Sequence, residues 1–353
     1  MPLSAVDSVT PAFEHTKQQL FRPFNLGQWS RLALVGLVAG ELTSGGGCNF
    51  QVPDFSGSGH RHLSFAPPSD PLLIGLTVAL LVFFVPLLWL LFVYLSSRMR
   101  FVLFDSVVAK RCEVRRFWRE RRAPAMRFFV WQIVFSLVTL MAIAMVIGIP
   151  ALIVFAMGWF SEPRNHIGKL VLLGLPVFFA FAAVLVSSLV VHVFTKDFVV
   201  PQMALEDISA FEGWRRLWAM LKREKGAYAG YGGMKLILAI GAAFFVALAA
   251  IVVILVLLIP FGGLGAVTVL LGKSAGLTWN VFTITAAIVA GCIFLVAMLY
   301  SLSLVSVPVT VFFPAYAIYF FAARYPLLAN LIYPPPRPIE PTPPAAPFPE
   351  PAV

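Results

Sequence analysis

Five stretches of this chain carry no Asp, Glu, Lys or Arg: residues 72–95, 128–161, 170–195, 236–272 and 274–323. Each exceeds the roughly 20 apolar residues that cross a bilayer as a helix. In hydrocarbon every backbone N–H and C=O must be bonded within the protein, so runs of this length predict spanning helices. A shorter apolar run over 32–47 contains Glu41 and reads as one further span, tilted little, locally thinning the membrane or packed within the bundle. The pattern therefore predicts an all-α, polytopic membrane helical bundle with three parts. An N-terminal amphipathic segment covers 1–31, and a membrane domain over 32–333 holds six spans near 32–47, 72–95, 128–157, 170–194, 236–259 and 281–307. A proline-rich tail covers 334–353.

Prolines set the expected span ends. A run of 34 uncharged residues would be about 50 Å long as one helix at about 1.5 Å per residue, more than a bilayer needs. Gly148-Ile149-Pro150 and Pro260-Phe261-Gly262-Gly263 are the predicted breaks, with 264–271 as a short outer interfacial or re-entrant piece. Pro308 and Pro314 place the end of the last span near Val307.

Composition excludes a soluble fold. Of 353 residues 60% are hydrophobic and 12% charged, and the mean hydropathy is +0.89. The net charge of +10 would suggest nucleic acid in a soluble chain, but here the excess sits in loops beside spans, and no nucleic-acid partner is expected. Residues 1–31, 96–127, 195–235 and those after 323 hold 22 of the Lys and Arg, against 4 in the intervening loops. The positive-inside rule puts the first set in the cytoplasm, so both termini are expected there, in a prokaryotic cytoplasmic (inner) membrane. Five spans with the N-terminus outside would put Lys17, Arg22 and Arg31 on the wrong side. Trp29, Trp118, Trp131, Trp214 and Trp218 flank the cytoplasmic ends, and Trp159 and Trp279 the outer ends, as amphipathic rings at headgroup depth should.

A two-span unit recurs three times. Phe101-Val102-Leu103-Phe104, Phe198-Val199-Val200-Pro201 and Val311-Phe312-Phe313-Pro314 occupy the same place where each second span meets the cytoplasm. Before the first span of each hairpin come Asn25-Leu26-Gly27-Gln28-Trp29, Arg115-Arg116-Phe117-Trp118 and Gly213-Trp214-Arg215-Arg216-Leu217-Trp218. These connectors read as cytoplasmic helices lying at the interface, with Lys and Arg among lipid phosphates. Arg115, Arg116, Arg119, Arg121 and Arg122 are the candidate contact for anionic lipid headgroups.

With these residues assembled, the chain resembles a family of uncharacterised prokaryotic six-span membrane proteins, distantly similar to the membrane domain of some glycerophosphodiester phosphodiesterases. The resemblance is carried by Leu20-Phe21-Arg22-Pro23-Phe24, the Gly-rich loop before the second span, and Arg98-Met99-Arg100-Phe101-Val102-Leu103-Phe104-Asp105. Lys196-Asp197-Phe198-Val199-Val200-Pro201-Gln202-Met203 and the Pro314-Ala315-Tyr316 region extend it over nearly the whole chain except the tail. It implies a fold and a membrane address but no activity, and no soluble phosphodiesterase domain is recognisable in these residues.

Candidate chemistry is sparse. Arg98, Arg100 and Asp105 follow the second span and His192, Lys196 and Asp197 close the fourth, a rim charge cluster expected to form a salt bridge between hairpins, with Arg100 and Asp197 aligned in the repeat. At the rim such charges can snorkel to water at low cost. Ser187, Ser188, Thr283, Thr285, Ser301 and Ser303 are expected to bond helix backbone. Cys48, Cys112 and Cys292 are expected to be isolated thiols, His60-Arg61-His62 lacks a third metal ligand, and no cofactor or metal is expected. No set of His, Asp, Glu, Ser or Cys converges with an activating partner, so no enzyme is expected. The tail, with Pro334-Pro335-Pro336-Arg337-Pro338, is a candidate docking peptide for a cytoplasmic partner. The sequence thus points to a non-catalytic membrane scaffold or lipid-associated accessory protein. The rival is a transporter or permease for a small or amphiphilic solute, with Pro86, Pro150 and Pro176 breaking helices around a midplane site.

Overall fold

The computed structural model describes residues 4–22, 24–41, 71–159, 166–274 and 281–333, and among these there are helices and turns but no strand. The Gly-rich loop with Cys48 and His60-Arg61-His62, and the tail over 334–353, lie outside the described residues.

Helix α1 (Val9–Phe21) buries Ala12, His15, Thr16, Gln19 and Leu20, the spacing of one face of an amphipathic helix. Helix α2 (Leu26–Ala39) starts where the Asn25 side chain accepts from Gly27 N–H at 2.9 Å, and stops at Gly40, whose φ of 78° is the left-handed geometry of a helix end. Five long helices follow in antiparallel order: α3 (Pro71–Val108), α5 (Arg122–Ala156), α6 (Ile167–Phe194), α9 (Lys225–Ser274) and α10 (Val281–Ala322). Short helices join them: α4 (Val114–Glu120), α7 (Val200–Glu206) and α8 (Ala210–Arg223), with α11 (Pro326–Ile332) after α10. In α8, Ser209 and Glu212 form the start of a capping box, the serine hydroxyl accepting from Glu212 N–H at 3.3 Å.

Among the described residues five helices are long and apolar enough to cross a membrane, over Val78–Val108, Arg122–Ala156, Ile167–Glu206, Lys225–Gly263 and Thr285–Ala322. The expected first span is described only as far as Glu41. Its helix has 14 residues, about 21 Å at about 1.5 Å per residue, against the ~30 Å of a hydrocarbon core. Packing explains this: Leu32, Ala33, Val35 and Ala39 are buried against α3 and α10.

The expected proline breaks differ. Pro150, Pro260, Pro308 and Pro314 all lie inside continuous helices, as do Pro86 and Pro176. A proline deletes one N–H bond, whereas opening a whole turn would strip several backbone groups of partners where no water can replace them. Among the described residues Pro201 is where winding changes, with a π-turn at Thr195–Val199 that ends just before it.

Among the described residues most buried side chains lie at one end of the bundle, with Val154 near the far end of α5 and Val246 on α9 buried apart from it. The C-terminal parts of α3 and α10, the first turns of α5 and α9, the π-turn, and α1, α2, α7 and α8 together make a packed collar. Beyond it the long helices expose apolar side chains on all sides, and α6 buries none of its residues. Phe101, Phe198 and Val311, the first residues of the three recurring motifs, are each 0% exposed in this collar. Phe198 sits within 5.0–5.3 Å of the ring centroids of Tyr228, Tyr231 and Phe321. Ser187, Ser301 and Ser303 bond their own helices at 2.7–2.8 Å. Of the described cysteines, Cys112 is buried, which pushes its thiol pKa up, and Cys292 is exposed; both are free.

Candidate functional site

A layer of charge crosses the collar. Arg98, Arg100 and Asp105 come from the last third of α3, Lys196 and Asp197 from the π-turn, Lys235 from α9, and Glu41 from the residue after the Gly40 cap. Instead of snorkelling, all are buried; Arg100 is 6% exposed and Asp197 3%. Lys196 pairs with Glu41, and Lys235 with Asp197. Asp197 also accepts from Tyr231 Oη at 2.9 Å, and the Tyr231 ring stacks on Tyr316 at 5.1 Å. Asp105 takes a two-pronged bond from Arg121, at 2.8 and 3.0 Å, and Arg121 also donates to the Ala204 carbonyl.

The two positions aligned in the repeat, Arg100 and Asp197, take different partners. Arg100 Nη2 donates to the Ala39 carbonyl at 3.2 Å with its guanidinium 5.5 Å from the Phe128 ring centroid, while Asp197 is taken by Lys235. Arg98 lies over Trp118, 4.7 Å from the ring centroid, and donates to the Trp118 carbonyl at 3.2 Å. Glu41, Lys235 and Tyr231 are not among the site residues that the sequence suggests. Glu41 is the one charge inside the 32–47 run, and Lys235 the last before the 236–272 run, which is the only signal either gave.

The three recurring motifs meet beside this layer. Leu103, Phe104, Val200, Pro201 and Pro314 line a cavity of about 30 Å³ together with Glu41, Arg100, Lys196 and Asp197. That is room for one or two waters and too little for an organic solute. The layer ties α2, α3, the π-turn and α9 together, since removing one partner would leave a charge buried alone. Among the described residues no three His, Cys, Asp or Glu side chains could hold a metal.

The five-arginine cluster divides by helix geometry. On α4 a residue turns about 100° from the last, so positions four apart share a face. Phe117 is buried and anchors the helix. Arg115 and Arg119 share the wall of an open groove of about 560 Å³ with Met99, Val114 and Trp118. Arg116 faces outward between Glu113 at 3.5 Å and Glu120 at 2.9 Å. Arg121 turns inward to Asp105, and Arg122 is exposed at the first turn of α5. Among the described residues, then, the groove pairs two guanidinium groups that have no carboxylate partner with an apolar floor, at the end of a helix long and apolar enough to cross a membrane.

Residues 3–331 match the model of a family of unknown function, DUF7544. No curated protein and no solved structure matches.

Proposed function

We propose that this chain, which belongs to the DUF7544 family of unknown function, is a non-catalytic membrane scaffold that holds anionic phospholipid at its basic collar. The observation that carries the reading is the groove between α3 and α4, where Arg115 and Arg119 stand one turn apart beside Trp118 and Met99. A guanidinium takes a phosphate oxygen by charge-assisted bonds, and the apolar floor accepts the glycerol end of the acyl chains. In this reading the collar faces the cytoplasm of a prokaryote, as the 22 to 4 distribution of Lys and Arg favours. Both termini lie on that face, and six spans form three repeated hairpins. Support comes from α1, α2 and α11 all belonging to the collar, and from the Tyr316 hydroxyl donating to the Ala5 carbonyl at 3.1 Å. The likeness to the membrane domain of glycerophosphodiester phosphodiesterases belongs to the same reading and rests on 98–105 and 196–203. The proline-rich tail then offers an extended segment to a cytoplasmic partner with an aromatic groove.

The test is lipid retention. Each basic residue near an anionic surface contributes about 1 kcal/mol, so Arg115→Gln with Arg119→Gln should cut co-purified acidic lipid roughly tenfold or more while Arg116→Gln leaves it nearly unchanged. Equal retention by wild type and the double variant would remove the basis of the proposal. A permease is the second reading, favoured by the buried charges of Arg100, Lys196, Asp197 and Lys235 within membrane-crossing helices. Solute flux in proteoliposomes that Asp197→Asn abolishes would establish it instead.

A further inference from the structure

A second basic cavity, of about 640 Å³, lies on the collar where the end of α1, the first turn of α2 and the α3–α4 turn meet. That volume is within the range of small-molecule sites. Four cations line it: Arg22 from the end of α1, Arg31 from α2, and Lys110 and Arg111 from the turn. No carboxylate among the described residues lies within ion-pair distance of any of the four. The contrast is with Arg116, Arg121, Arg127, Arg215, Arg216 and Arg324, all of which have a carboxylate partner. Glu113, the one acid on the wall, is engaged by Arg116 at 3.5 Å.

The fold holds these charges together rather than letting them spread. Gln28 Nε2 donates to the Lys110 carbonyl at 3.2 Å, and Lys110 Nζ donates to Gln18 Oε1 at 2.9 Å, so the α3–α4 turn is tied to both α1 and α2. Lys110 takes a φ of 54°, the left-handed geometry that ends α3 and turns the chain into this wall. Asn25 and Gly27 bring the N-terminal end of α2, with its partial positive charge, to the same wall. Like charges gathered around one solvated space repel, and a multiply charged anion relieves them. Three planar guanidinium forks and an ammonium suit the oxygens of a phosphate group in particular.

We infer that this cavity is a binding site for a phosphate group, carried either by a soluble phosphorylated molecule or by a lipid headgroup. The site is separate from the Arg115–Arg119 groove and shares no residue with it.

The experiment uses the full chain in nanodiscs and follows arginine modification by phenylglyoxal with peptide mass spectrometry. In phosphatidylcholine nanodiscs, inorganic phosphate should slow modification of Arg22, Arg31 and Arg111 at least fivefold over chloride of equal ionic strength if the source is soluble. Protection that appears without added phosphate in phosphatidylglycerol nanodiscs, and not in phosphatidylcholine, identifies a lipid headgroup; either result supports the site. Arg22→Gln with Arg31→Gln should then abolish protection of Arg111, whereas Arg115→Gln with Arg119→Gln should leave it intact even if the lipid groove proves wrong. Equal modification rates of the wild-type arginines in both nanodiscs, with and without phosphate, would overturn the inference, and need no variant to fold.

Discussion

Asp197 accepts bonds from Tyr231 and Lys235 while almost wholly buried, at 3% exposure. Burying that pair costs desolvation of both groups, so the pair contributes less to stability than either partner's loss would remove. Asp197→Leu alone should destabilise the detergent-solubilised protein by about 3–5 kcal/mol, and adding Lys235→Met should recover most of the loss. Thermal unfolding of the two variants decides it; a double variant as unstable as the single would mean that the pair is not a unit. A second residue gives a pH test. His15 on α1 reaches the Val107 carbonyl at 2.9 Å and Tyr319 Oη at 3.2 Å, and burial, reinforced by the Lys110 charge, holds its pKa below the ordinary 6.5. Its folded form is neutral, so the unfolded chain binds the extra proton as pH falls below 6.5. The docking of α1 should be unaffected by pH above that value and weaken as pH drops through the lower folded pKa. Hydrogen exchange of α1 at pH 7.5 and 5 reads this after correction for intrinsic rates, and His15→Gln should flatten the difference. Neither partnership was legible in sequence: Lys235 lies 38 positions from Asp197, and Tyr319 lies 304 from His15. Only packing brings them together.

Elements were easier to read than contacts. Apolar runs of more than 20 residues force helices because nothing else satisfies the backbone in hydrocarbon, and the long helices lie where those runs lie. Proline misled for the same reason: the rule that it breaks helices comes from water, where a freed carbonyl finds a partner. The length of α2 was hidden too, because an apolar run can end against protein as well as against lipid. Its close approach to α10 is testable. A Cβ at Gly36 would collide with the Thr310 methyl and lie 3.3 Å from its Cβ. Gly36→Ala should therefore cost about 1–3 kcal/mol by overpacking, with Thr310→Ser restoring part of it. Unfolding of the single and double variants reads the effect; an unchanged Gly36→Ala would show that the two helices can move apart freely.

At the scale of the whole molecule, a packed, charge-tied collar carries long helices whose described side chains are mostly exposed beyond it. The three motifs were visible as short strings in sequence, but their meeting around one cavity needed the fold. The arginine cluster was visible as a group, whereas its division into groove, outward and inward side chains follows from the rotation of α4. That division makes the central claim specific: lipid phosphate sits between Arg115 and Arg119. The most direct measurement is photo-crosslinking of the wild-type chain in nanodiscs that contain phosphatidylglycerol with a diazirine near its headgroup. The expected result is that crosslinked peptides concentrate on 114–119 and Met99, and that unlabelled phosphatidylglycerol, but not phosphatidylcholine, competes them away. Crosslinks spread along the ends of the long helices with no enrichment at the groove, or equal competition by both lipids, would contradict it.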